Sequence, residues 1–457
     1  MTTAAPAGIV ERIWARDASL WTGRDESRWL GWLDEPERML ALAAELEAFA
    51  ASARADGLAE TVLLGMGGSS LAPEVLRRTF RAEGFHVLDT THPGAIRRLE
   101  ARLDLGRTLF LVASKSGTTL ETLSHLEYFW AQTGGRGAQF AAITDPGSKL
   151  EATARERSFR AVFHGEPEIG GRYSALSAFG MVPAALMEVD LGHFLGRAHE
   201  MRASCLGADG NPGLELGLAL GEGWRAGRDK ILINPNAGGF GLWAEQLLAE
   251  STGKDGKGLV PVPGEAGDGP DRQPADVRIS DPYELGEEFF RWEYGTAVAG
   301  SLIGINPFDQ PNVQEAKDRT KALLEAGGEP DVVPADSLDG LLRQARPGDY
   351  FCVQAFVEPT EENEARLGRI RESARSETGV VTTAGFGPRY LHSTGQLHKG
   401  GPASGLFLQV VDDPGELPIP GSPFGFGRLI RAQAAGDFDA LRERGRRVAR
   451  VRLEDLP

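Results

Sequence analysis

From about residue 58 onward, the apolar positions fall into short unbroken runs separated by longer stretches of helical period. The runs at 61–64, 85–89, 109–113 and 139–144 are the length of strands and read as such. Between them, 73–80, 95–103 and 120–132 space their apolar residues as helices do. This alternation predicts βαβ units in a parallel sheet, with ligands at the carboxyl ends of the strands. Residues 1–55 read as helices rich in Trp, Leu and Ala, most clearly over 40–51. A loop at 165–171 precedes a helix expected to begin near Tyr173, and a polar, Gly-rich stretch at 207–212 marks a boundary.

A second α/β series follows: strand 230–234, loop 235–241, helix 242–250, an exposed loop at 264–273, and a long apolar helix over 287–303. Strands at 350–357, 380–384 and 406–411 surround a helix at 361–376, and the chain closes with a helix at 428–445 and a basic strand at 447–453. The expected organisation is an N-terminal helical segment (1–55), a first α/β domain (56–206), a second (207–425) and a C-terminal helix and strand (426–457). A chain of 457 residues exceeds what one core usually serves.

Two loops stand out. Gly65-Met66-Gly67-Gly68-Ser69-Ser70 follows the first strand, and Ser114-Lys115-Ser116-Gly117-Thr118-Thr119 follows the third. Small residues with free N–H groups and hydroxyls at a helix N-terminus make an anion cradle. The first loop also fits the opening of a dinucleotide fingerprint, with Asp89 ending the next strand, although Ser70 replaces the third glycine. A tight βα turn without a ligand is the plain alternative. The second loop carries four hydroxyls where a helix cap needs one, which favours phosphate.

Charge and composition narrow the partners. The formal net charge of −16 disfavours nucleic acid and anionic membranes, so a phosphate ligand needs a local positive site. Two cysteines without metal or disulfide spacing point to a reducing, cytoplasmic setting. The eight histidines form no ligand motif, so no metal is expected. No signal-peptide pattern or membrane-length apolar run is read.

Other segments carry candidate chemistry. Arg172, in Gly170-Gly171-Arg172-Tyr173-Ser174, sits where a helix dipole disfavours a cation, so an anionic ligand would explain it. Gln246 and Glu250 share a helix face, and Glu250 lies in the last turn, where a carboxylate is held unfavourably and makes a better base. Lys317 follows Asn306-Pro307-Phe308-Asp309-Gln310-Pro311 and is otherwise an ordinary helix lysine. His392 and His398 lie in a Gly-flanked stretch after a strand, and histidine is a residue type suited to acid–base work. Taken singly, each has a bland reading as a surface or core residue.

Together these segments resemble the glucose-6-phosphate isomerase family. The matching blocks are GMGGSSLAP at 65–73, SKSGTTLET at 114–122, GGRYSALSAFG at 170–180, ESTGKDGKG at 250–258 and FDQPNVQEAK at 308–317. LHSTGQLHKGG at 391–401 and the closing helix look closest to the isomerase half of fused transaldolase–isomerase proteins. The resemblance implies an α/β fold of two SIS-type domains (flavodoxin-like, parallel-sheet, three-layer αβα). It implies an aldose–ketose isomerase interconverting glucose 6-phosphate and fructose 6-phosphate through a cis-enediolate, with no cofactor.

The implied catalytic residues are Glu250 as base, Arg172 stabilising the enediolate, His392 opening the ring and Lys317 assisting at the ring oxygen. Gly68, Ser69, Ser114, Lys115, Ser116 and Thr119 would hold the phosphate, and Gln246 and Gln310 would contact the sugar. A homodimer is implied, with the histidine reaching the site from the second subunit. One departure stands: the family places the histidine block between the glutamate and lysine blocks, and here it follows Lys317. His398 competes with His392 for the role. A dual enzyme that also takes mannose 6-phosphate and a non-catalytic sugar-phosphate sensor are the competing readings.

Overall fold

The computed structural model describes residues 8–456 and comprises two units. The first contains the chain up to Leu88, residues 104–252 and residues 259–309; the second contains 89–103, 253–258 and the chain from Gln310 onward. The stretch 207–425 therefore contributes to both units.

The first unit holds two parallel sheets. The larger consists of β1 (Glu60–Gly65), β2 (Phe85–Leu88), β3 (Thr108–Ala113), β4 (Phe140–Thr144) and β5 (Ala161–His164), in the order β2-β1-β3-β4-β5. The chain leaves β1 to one side for β2 and crosses to the other for β3, so the order reverses between β1 and β3. In a sheet of this order that reversal opens the ligand crevice. The sequence pattern anticipated the four strands β1–β4. It missed β5, a short, partly buried edge strand whose apolar run is only three residues long, Ala161-Val162-Phe163.

The smaller sheet has β6 (Lys230–Asn234), β7 (Val260–Pro263) and β8 (Arg272–Asp276), in the order β7-β6-β8. β8 starts at the end of the stretch read as an exposed loop. Its Pro274 disguises it, and proline is tolerated in a strand at a sheet edge because an edge leaves one row of N–H groups unpaired. The helix Glu284–Ile303 is buried along nearly its whole length. The helix Pro212–Arg225 packs on it through Gly213, Gly217 and Gly221, one on each turn. A Cβ on Gly217 would stand 2.4 Å from that of Val298, so the close approach requires glycine. The core of this unit gathers Trp32, Trp243, Trp292, Phe240, Phe289, Phe290 and Tyr294.

The second unit is built on β9 (Tyr350–Phe356), β10 (Val381–Phe386), β11 (Gly405–Val411) and β12 (Arg447–Arg452), parallel and in the order β10-β9-β11-β12. Helices Glu361–Thr378 and Phe426–Glu443 pack on this sheet. Residues 89–103 join it through side chains: Thr91 Oγ1 donates to Gln433 at 2.8 Å, His92 Nε2 lies 3.2 Å from both Asp412 oxygens, and Arg98 pairs with Glu358 at 2.6 Å. The α/β class with parallel sheets, expected from the sequence, is the class observed.

Candidate active site

The two small-residue loops leave neighbouring strands at the point where the sheet order reverses. Gly65, the last residue of β1, pairs in register with Ala113, the last of β3, so the loops start side by side. The first is drawn tight by close backbone approach. A Cβ on Gly68 would fall 2.1 Å from the carbonyl oxygen of Gly171, which places this loop against the turn bearing Arg172. Gly67 has a positive φ of 55°, and Ser69 N–H donates to Met66 O at 3.2 Å.

In the second loop, Ser114 Oγ lies 3.0 Å from Thr119 Oγ1, and Ser116 Oγ 2.8 Å from Thr118 Oγ1. Thr119 occupies the N-cap position of the helix Leu120–Gln132 yet makes no capping bond. The Thr119 hydroxyl therefore does not serve as the side-chain cap of that helix. Lys115 is engaged differently from the expectation. Its ammonium donates to both Asp145 oxygens at 2.7–2.8 Å and to Glu166 O at 2.7 Å. Burial pushes the Asp145 carboxyl up, while Lys115 pulls it down. Part of the positive charge expected to meet a phosphate is thus balanced within the unit.

Arg172 lies in a single 3-10 turn, Gly171–Tyr173, and the next helix begins only at Ala178. The helix expected from Tyr173 is absent there, so a dipole argument does not explain the arginine. Its contacts do. The guanidinium is 1% exposed: Nε donates to Ser251 Oγ at 2.8 Å, and Nη2 donates to Pro307 O at 2.7 Å and Asp309 O at 3.0 Å. Nη1 stands 3.6 Å from Glu250 Oε1. Tyr173 beside it stacks on Trp32, with ring centroids 5.4 Å apart, and accepts from Ser251 Oγ at 3.4 Å. Burial raises the Tyr173 phenol and keeps it neutral.

Glu250 projects from the last turn of the helix Gly241–Thr252, as expected. Its carboxylate is buried between two donors, the Arg172 guanidinium and Gln246, whose Nε2 donates to Oε2 at 2.9 Å. A buried carboxylate needs such partners, because an unpaired charge in the interior is strongly destabilising. The first unit thus brings Arg172, Gln246 and Glu250 into direct contact, with the Gly68 loop adjoining the same turn. Ser251 and Tyr173, which hold the arginine, were not singled out from the sequence. Ser251 directly follows Glu250 in the ES block, and that adjacency was the available signal.

The second unit carries the remaining candidates. Gln310 is exposed, and Lys317 is exposed on the helix Val313–Glu325. His392 ends the 3-10 turn Arg389–His392 and is partly exposed. His398 is buried: Nδ1 lies 3.1 Å from Gln354 Nε2 and Nε2 3.7 Å from Cys352 Sγ, with the ring against Tyr390 and Phe407. Burial, with the Lys399 and Arg446 charges, drives its pKa well below the usual histidine value. Tyr390 OH donates to Asp437 Oδ2 at 2.6 Å, and the buried Lys399 ammonium pairs with Oδ1 of the same carboxylate. The two histidines therefore differ sharply in environment. Among the described residues, no group of three or more His, Cys, Asp or Glu side chains is arranged to hold a metal, and no helix is long and apolar enough to cross a membrane.

The family model for phosphoglucose isomerase matches residues 37–224. The glucose-6-phosphate isomerase of Cyanothece sp. (strain PCC 7425 / ATCC 29141) is 30% identical over 375 residues, spanning 74% of this chain and 67% of that protein. The glucose-6-phosphate isomerase of Synechococcus sp. (strain JA-3-3Ab) is 30% identical over 309 residues, 64% of this chain. The match spans only 55% of that Synechococcus protein, and 41% of the one from Gloeothece citriformis. In fold, the crystal structure of a glucose-6-phosphate isomerase from Chlamydia trachomatis aligns with 73% of this chain and 80% of that chain, at a TM-score of 0.52 and 20% identity. With the length of the Cyanothece match, these likenesses establish that the chain belongs to the glucose-6-phosphate isomerase family.

Proposed function

We propose that this protein is an aldose–ketose isomerase interconverting glucose 6-phosphate and fructose 6-phosphate. The observation that carries the reading is Glu250, a buried carboxylate held between Arg172 and Gln246 in a chain of this family. Isomerisation needs one base that removes a proton from the carbon beside the carbonyl and returns it to the neighbouring carbon. A fixed carboxylate suits that exchange. From the aldose, Glu250 takes the C2 proton; the electron pair of that C–H bond forms the C1–C2 double bond as the carbonyl pair moves onto O1; the O2 proton passes to O1; and as the O2 charge re-forms a carbonyl at C2, the proton held by Glu250 is delivered to C1. The negative charge that develops on oxygen calls for a cation already in place, and Arg172 is held rigidly beside Glu250 for that role.

The loops 65–70 and 114–119, with Ser69, Ser114, Ser116 and Thr119, would take the phosphate through hydroxyls and helix N–H groups, and Gln310 would contact the sugar. Ring opening is assigned by resemblance to His392 with Lys317. The environment of the two histidines supports His392 over His398, since a proton-transfer group needs access to its partner and His398 is enclosed. The family likeness further supports a homodimer and a cytoplasmic setting; mass measurement in solution tests the first. A coupled assay of fructose 6-phosphate conversion, without added metal or cofactor, tests the activity itself. Binding without turnover would favour a sensor instead.

A further inference from the structure

The buried carboxamide of Gln396 joins three stretches of the second unit that lie far apart in the chain. Its Nε2 donates to Gly253 O and to Asn312 Oδ1, each at 2.8 Å, and its Oε1 accepts from Asn312 N–H at 2.8 Å. Both amide protons and the carbonyl are used, so the group is satisfied only in this orientation. Gly253 lies three positions after Glu250, Asn312 is the N-cap of the Lys317 helix, and Gln396 lies four positions after His392. The same junction is closed by Gly400. Its carbonyl accepts from Gly256 N–H at 3.0 Å. A Cβ there would stand 2.3 Å from Asn312 Oδ1, 2.7 Å from Gln396 Nε2 and 2.8 Å from Gly253 O. Two independent features, a spent carboxamide and a forced glycine, thus converge on one point.

We propose that Gln396 is a positioning residue for ring opening. It holds the His392 stretch, the head of the Lys317 helix and the Gly253–Gly258 segment in one register. This rests on the isomerase reading above, and it gives a physical account of how a histidine block displaced along the chain keeps a fixed relation to the lysine block. Misplacing a catalytic group by about 1 Å costs on the order of 100-fold in rate.

The test uses the full chain and two substrates. Fructose 6-phosphate must open its ring. 5-Deoxyfructose 6-phosphate lacks the hydroxyl that closes onto the carbonyl and is always open. Gln396→Met keeps the side-chain shape and removes all three bonds. It should lower kcat on fructose 6-phosphate by about tenfold or more with KM little changed, and leave kcat on the open analogue within about threefold. Gly400→Ala, which crowds the junction without removing the carboxamide, should show the same split. Hydrogen exchange should quicken in both variants over 253–258 and 310–317. Equal loss on both substrates, or no loss on either, overturns the proposal, as does unchanged exchange in those segments. Absence of wild-type turnover overturns the isomerase reading instead, and the exchange arm still decides the role of Gln396.

Discussion

Gln246 and Glu250 face each other across one helical turn, and the amide nitrogen of the first donates to Oε2 of the second at 2.9 Å. The relationship changes what Gln246 is expected to do. A residue first read as a substrate contact is bound to the base. Gln246→Leu should remove the amide donor from Glu250 and lower kcat by about tenfold with a smaller change in KM, whereas Glu250→Gln should cost about 10²–10⁴ in kcat. Steady-state kinetics on fructose 6-phosphate separate the two; an increase in KM alone for Gln246→Leu would restore the substrate-contact role.

Arg172 donates to Ser251 Oγ and to the carbonyl oxygens of Pro307 and Asp309, besides facing Glu250. Arg172→Ala strips a buried carboxylate of the guanidinium beside it and removes the group that donates to the Pro307 and Asp309 carbonyls. The expected cost is about 3–5 kcal/mol in unfolding free energy, read from urea titration. Arg172→Lys should recover part of that stability and little of kcat, since an ammonium cannot reproduce the guanidinium fork.

The pH dependence of stability should be set partly by two buried carboxyls outside the site. Burial raises Glu35 from 4.5 to about 7, against the pull of Arg38, and neighbouring Glu166 and Asp34 add to the rise. Glu293, wholly buried in the helix Glu284–Ile303, is raised well above 4.5 by burial and by Glu35, although a backbone hydrogen bond from Ala175 opposes this. Between 4.5 and the raised values, the unfolded chain has released these protons while the fold retains them. The folded state then binds more protons, so stability present below pH 4.5 is lost as pH rises through the folded values. For Glu35 the window runs from 4.5 to about 7. Glu293→Gln should raise the melting temperature at pH 8 and flatten the decline from pH 5 upward. An unchanged profile would show that Glu293 does not titrate as its burial implies.

The two histidines should separate by observable. His392→Ala should reduce turnover of the closed-ring substrate strongly, spare the open analogue, and leave melting within a few degrees. His398→Ala should lower the melting temperature by removing a ring packed between Tyr390 and Phe407 and by stranding Gln354. Differential scanning calorimetry with the two-substrate assay gives both readings.

Much of the first sheet was legible because β1, β3 and β4 are buried almost throughout and announce themselves as apolar runs. β5 and β8 lie at sheet edges, where burial is partial and proline is tolerated, so pattern alone could not reveal them. Glu250 at the end of its helix was readable from spacing. The engagement of Lys115 by Asp145 was not, because the partners lie 30 residues apart and meet only through the β3–β4 pairing. Arg172 was noticed for a helix start that does not exist; its real support comes from Ser251, Pro307 and Asp309, residues that no local rule connects to it.

The interleaving of the two units bears on how the chain is made. Residues 89–103 and 253–258 belong with a sheet whose strands begin only at Tyr350. During synthesis His92 and Thr91 emerge more than 300 residues ahead of Asp412 and Gln433, their partners. The early segments must wait, unpartnered, until the last quarter of the protein has left the ribosome. No single proteolytic cut can release either unit intact, and a truncation in the final helix or strand would be felt by a segment near the start.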